Sequence, residues 1–190
     1  MKKILALLLV FLCMISTACG PSDFFGTKFI EDPAAYGKFD SYVEVPAYFP
    51  DTIEGYQVNR YAYTVYSYMD VCSEIFLDLT LTQAQFDSLL VRVRAAAPLR
   101  EQPADYAEGY TELVFADEYY HDPDEFWAKT NVGTATIDKI LFDPVALRII
   151  FVSLHAHDTG VFELEHLAYF DHFHLTPEDY VARLSKISPQ

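Results

Sequence analysis

The chain has 190 residues, is 52% hydrophobic, and carries 28 acidic against 13 basic residues, for a net charge of −15 at pH 7. Such an acidic chain lacks the basic surface that neutralises phosphates, which excludes a nucleic-acid binder, and it gains nothing electrostatically from anionic lipid headgroups. Three cysteines (Cys13, Cys19 and Cys72) exclude an internal disulfide framework once the first two are accounted for below.

The first element is a leader. Lys2 and Lys3 precede an apolar run from Ile4 to Ile15, and Ser16-Thr17-Ala18-Cys19-Gly20 follows. A positive n-region, an apolar h-region and small residues before a cleavage point make an export signal. The run is too short to span a bilayer, which takes about 20 apolar residues. With Cys19 at the cleavage point, the segment resembles a bacterial lipoprotein precursor. The resemblance covers residues 1–20 and implies a signal peptide 1–18, a diacylglyceryl (palmitate-type) modification of Cys19, and residence on the outer side of a bacterial cell membrane. Ser16 stands where that pattern usually has leucine. Ser16-Thr17-Ala18 also fits ordinary signal peptidase, which cuts the same bond, so the two routes differ in whether Cys19 carries lipid. Residues 19–23 form a short tether, and residues 24–190 are long enough for one domain with its own core.

Residues 24–50 contain Pro33, Gly37, Pro46 and Pro50 among many aromatics, and read as an extended leader packed on the domain. Tyr61 to Tyr68 reads as a strand, Met69 to Ser73 as a turn, and Glu74 to Leu81 as a half-buried strand. Its Ile75, Leu77, Leu79 and Leu81 face inward, with Glu74, Asp78 and Thr80 outward. Thr82 and Gln85 make a capping box opening a helix whose apolar stripe is Phe86, Leu89, Leu90 and Val93, ended by Pro98. Leu99 to Glu108 reads as a polar loop, Tyr110 to Ala116 as a strand, and Asp117 to Glu125 as a solvated acidic loop. That loop lacks the glycine and spacing of a calcium-binding EF-hand. Thr134 to Phe142 and Leu147 to His157 read as a hairpin turned at Asp143-Pro144. Residues 161–175 fit either a strand or a short helix. Thr176-Pro177 opens a last helix, with Thr as N-cap. The order predicts an α+β fold: a mainly antiparallel sheet of about five strands, with one central and one C-terminal helix packed on one face.

Five of the six histidines lie between 155 and 174, in two His-x-His pairs. Residues two apart share one side of a strand, so His155 and His157 can reach one ion together. His172 and His174 complete a candidate set for Zn²⁺ or another divalent transition metal, with Asp158, Glu163, Glu165, His166 and Asp171 as neighbours. Cys72 reads as a small buried hydrophobe. The tyrosines at 61, 63, 66 and 68 divide between two strand faces, one pair in the core. No Gly-x-Ser-x-Gly elbow, phosphate loop or dinucleotide fingerprint occurs. The sequence therefore points to a lipid-tethered domain that binds a ligand or a protein partner of the cell envelope, or serves structurally, without catalysis. A metal-binding lipoprotein is the second reading and a secreted hydrolase the third.

Overall fold

The computed structural model describes residues 26–67, 71–121, 133–156, 167–176 and 179. These form one seven-stranded antiparallel sheet: β1 (Gly26–Ile30), β2 (Gln57–Ser67), β3 (Val71–Thr80), β4 (Arg100–Pro103), β5 (Thr111–His121), β6 (Gly133–Asp143) and β7 (Arg148–Ala156), in the order β1-β2-β3-β7-β6-β5-β4. The α+β class holds. The sheet has seven strands rather than about five, because the leader contributes β1 and the loop after residue 99 contributes β4.

The helices are α1 (Gln83–Ala95) and the short α2 (Ala168–Phe173). They lie on opposite faces of the sheet, not on one. α1 buries Phe86, Leu89 and Val93 with Ile75, Leu77, Leu79, Ile149 and Phe151, and Tyr48 and Phe49 of the leader complete this front core. α2 and the segment around Ala104 and Ala107 cover the back face over Phe76, Ile137, Leu141, Ile150, Val152 and Leu154. A sheet covered on both sides has no solvated face. Two of the three outward residues of β3 are therefore buried, Glu74 at 0% and Asp78 at 1% exposure.

Local chemistry explains the element ends. Thr82 accepts from the Gln85 amide while Gln85 Oε1 accepts from the Thr82 amide, closing the capping box. At the β6–β7 turn, Asp143 Oδ1 accepts from the Val145 and Ala146 amides. Thr176 and Asp179 exchange the same kind of reciprocal bonds, and the helix expected beyond them lies outside the described residues. Of the ambiguous segment 161–175, residues 168–173 are helical.

The largest local departure is in β5. The strand runs to His121, through half of the expected acidic loop. Phe115 is a bulge: Val114 pairs with Lys139 and Ala116 with Asp138, leaving Phe115 unpaired. The extra residue turns Phe115 onto Tyr48, with ring centroids 4.3 Å apart. It also reverses the parity of the rest of the strand, sending Asp117 to the back face.

Candidate functional site

The back face of β4, β5 and β6 holds the densest buried charge. Val152, Lys139, Val114 and Arg100 form one cross-strand row; Glu112 pairs with Leu141 and Asp117 with Ile137, one step to either side. Lys139 therefore lies between two carboxylates. Its Nζ is 3.0 Å from Asp117 Oδ2 and 3.8 Å from Glu112 Oε2, and all three side chains are 1–3% exposed. Arg100 reaches the same Asp117 oxygen at 2.6 Å. Gln102 Nε2 and the Tyr106 hydroxyl donate to Glu112 at 2.6 and 2.9 Å, and the Tyr169 hydroxyl donates to Tyr106 at 3.0 Å.

Two cations face two carboxylates, so the cluster is electrically balanced. Burial opposes the Lys139 ammonium, but Tyr169, Asp117 and Glu112 outweigh it and hold its pKa above the ordinary lysine value. A lysine held protonated is neither a nucleophile nor a base at neutral pH. The arrangement fixes strand register and closes the sheet's far edge rather than presenting a reactive group.

A second group ties α2 to the sheet. Both Glu74 oxygens accept backbone bonds, from the Ala168 amide at 2.9 Å and the Tyr169 amide at 2.8 Å. Burial pushes the Glu74 carboxyl up to about 7, against the pull of those two amides and of Arg60. Arg60 bonds Asp171 at 2.7 Å beside this contact. Two strand rows further along, Arg148 clamps Asp78 with two nitrogens, and Asn59 donates to the same carboxylate.

On the front face, His155 Nε2 lies 3.3 Å from Asp138 Oδ1. The Tyr48 hydroxyl contacts the same oxygen at 3.1 Å and donates to the Val152 carbonyl at 3.2 Å. These bonds fasten the leader across β6 and β7. Ser153 stands directly across from Asp138, two residues before His155, which assembles the residue types of a hydrolytic triad. The serine is 2% exposed, and Asp138 already occupies His155 Nε2, so a substrate has no approach to that hydroxyl. The hydrogen bond to Asp138 raises the His155 pKa above its ordinary value, helped by the charges of Asp138 and Glu44 and opposed by burial. A raised histidine pKa contributes stability that is full below the unfolded value, near 6.5, and is lost as pH rises through the folded one. Protection factors of the leader amides around Tyr48, which remove the base-catalysed rise in intrinsic exchange, are therefore expected to fall from pH 5.5 to 8 in the wild type. In His155→Ala that pH step should shrink; a step of unchanged size would detach His155 from the latch.

The structure places two of the expected metal ligands, His155 and His172, on opposite faces of the sheet. His155 is on the front face of β7. His172 is on α2 at the back face, its ring 5.2 Å from Phe76 and 4.7 Å from Phe173. The sheet separates them, so one ion cannot take both. Burial lowers the His172 pKa, as its aromatic packing requires. His174 is the left-handed C-cap of α2, at φ 51°. His157 lies outside the described residues, as do Cys19, Asp158, Glu163, Glu165 and His166. Asp171 is engaged by Arg60. Among the described residues no three histidine, cysteine, aspartate or glutamate side chains converge as a metal site. Cys72 is buried in the back core. Tyr61 and Tyr63 belong to the front core, while Tyr66 packs from the other side.

The charged residues that dominate the back face escaped the sequence reading. A signal existed: Ile137, Lys139 and Leu141 share one strand parity, and a lysine inside an apolar row demands buried acidic partners. The bulge at Phe115 concealed which acids those were.

No family model, curated protein or solved structure matches this chain. Among the described residues no helix is long and apolar enough to cross a membrane.

Proposed function

We propose that the protein is a lipid-anchored lipoprotein of the bacterial cell envelope, facing outside the cytoplasm, whose domain binds a partner or serves structurally and does not catalyse. The observation that carries this reading is the export signal that ends at Cys19. The buried chemistry is in keeping with it: the carboxylates of Glu74, Asp78, Glu112 and Asp117 and the ammonium of Lys139 are all engaged by other residues of the same domain. Groups consumed in this way specify a fold and leave little free for acid–base or nucleophilic work.

Labelled palmitate tests the reading in bacteria that express the full chain. The wild type is expected to incorporate label and to fractionate with membranes. Cys19→Ala is expected to take no label, and to leave the membrane if ordinary signal peptidase cuts it or to stay there as uncut precursor if none does. Equal labelling of both proteins, or of neither, would remove the lipid anchor from the reading.

A further inference from the structure

The tether and the edge strand it leads into assign an orientation. We infer that the β1 edge of the domain, flanked by Phe29 and Tyr42, rests against the membrane surface. This rests on lipid attachment at Cys19, proposed above. Gly26 opens β1, only seven residues after Cys19, a reach of at most about 25 Å for extended chain. β6 has eleven residues, which makes the sheet about 36 Å long. Its seven strands place the β4 edge roughly 29 Å from β1. The tether is shorter than either dimension, so the β1 corner is the part of the domain it keeps at the bilayer. Phe24 and Phe25 stand in the sequence between the tether and Gly26.

The side chains at this edge suit an interfacial layer. Five large hydrophobic residues are exposed among the described residues: Phe29, Tyr42, Val91, Leu99 and Val145. The two aromatic ones are both beside β1. Phe29 pairs with Thr64, itself opposite Glu74, and so stands on the back-face side of the edge. Tyr42 stands on the front-face side, in the Asp40–Val43 turn, which Lys28 fastens to β1 through Asp40 at 3.0 Å. Aromatic rings are favoured at the level of lipid headgroups, and the Lys28–Asp40 pair brings no net charge to the surface. The outer backbone groups of β1, which no strand among the described residues pairs, meet hydrated headgroups there and not hydrocarbon.

The test uses the full chain, exported and processed, then reconstituted in phosphatidylcholine vesicles carrying nitroxide-labelled headgroups. Four variants each receive one environment-sensitive fluorophore: Phe29→Cys, Tyr42→Cys, Leu99→Cys and Val145→Cys. Cys72 is buried and stays unlabelled. Intact mass establishes that Cys19 carries lipid. With lipid present, the probes at 29 and 42 are expected to lose most of their emission to the nitroxides, and those at 99 and 145 to keep it. Probes at 29 and 42 that keep their emission on lipidated protein would overturn the orientation and leave the open β1 edge to pairing with a protein strand. Equal quenching at all four positions would overturn it too. An unmodified mass fails the anchor itself, a separate result, and takes the orientation with it.

Discussion

Asp117→Ala is expected to destabilise the domain by about 3–5 kcal/mol, the usual cost of breaking a buried ion pair from one side. Asp117 is the carboxylate that joins Lys139 at 3.0 Å and Arg100 at 2.6 Å, and its side chain is 1% exposed. Without it, Lys139 and Arg100 both lose the carboxylate between them, while the Lys139–Glu112 contact at 3.8 Å stays. In a domain of this length the loss corresponds to a fall of roughly 10 °C in Tm, and it should show as an earlier urea midpoint with an unchanged slope. The double variant Asp117→Leu/Lys139→Met is expected to lie closer to the wild type than Asp117→Ala does. It removes one buried charge of each sign, Glu112 keeps its bonds from Gln102 and Tyr106, and Arg100, which is 29% exposed, can turn to water. A loss below about 1 kcal/mol for Asp117→Ala is what a solvated surface pair would give, and would refute the buried network.

The second large effect is a pH dependence centred on Glu74. Its carboxyl is pushed up to about 7 from an ordinary value of 4.5. The folded state therefore holds the proton more tightly than the unfolded chain. Stability from this group is full below pH 4.5 and is lost as pH rises toward 7, the reverse of a salt-bridged carboxylate. The span corresponds to about 3 kcal/mol. Glu74→Gln imitates the protonated form at every pH, so the variant should gain on the wild type by about 2–3 kcal/mol between pH 5 and pH 8. Urea titrations of both proteins at the two pH values measure this as a difference of differences, in which the contribution of His155 cancels. A gap between the two proteins that does not move with pH would mean that Glu74 ionises as an ordinary carboxylate. The structural counterpart is α2, whose first two amides Glu74 holds. Exchange at those amides should follow the same pH window.

Glu74 and Asp78 also show where sequence reasoning stopped. The alternation of β3 was legible, and Ile75, Leu77 and Leu79 do face a core. The polar parity reads as solvent-facing because period-2 alternation ordinarily means one wet side. Here α2 and the segment near Ala104 cover that side, and the polar residues are kept by bonds from Arg148, Asn59 and backbone amides far along the chain. Local pattern records polarity; it does not record which distant element will lie on top. The capping box at Thr82 and the turn at Asp143 were legible in full, because every group they use lies within three residues. The histidines were legible as a cluster in sequence but not in space. Parity correctly separates His155 from the apolar row of β7, yet nothing local says that His172 will cross to the other face on α2.

The sequence by itself determined the α+β class and the strand, helix and turn chemistry at α1, β6 and β7, and the proposed export signal and anchor at Cys19 rest on it alone. All of these are written in residues a few positions apart. Tertiary structure alone decided that both faces of the sheet are covered, that Lys139 meets Asp117 and Glu112, and that His155 and His172 stand on opposite faces. Those outcomes depend on strand order and on one bulge. A single unpaired residue at Phe115 turns the following side chains to the opposite face, so an acid that reads as solvated becomes the centre of a buried network.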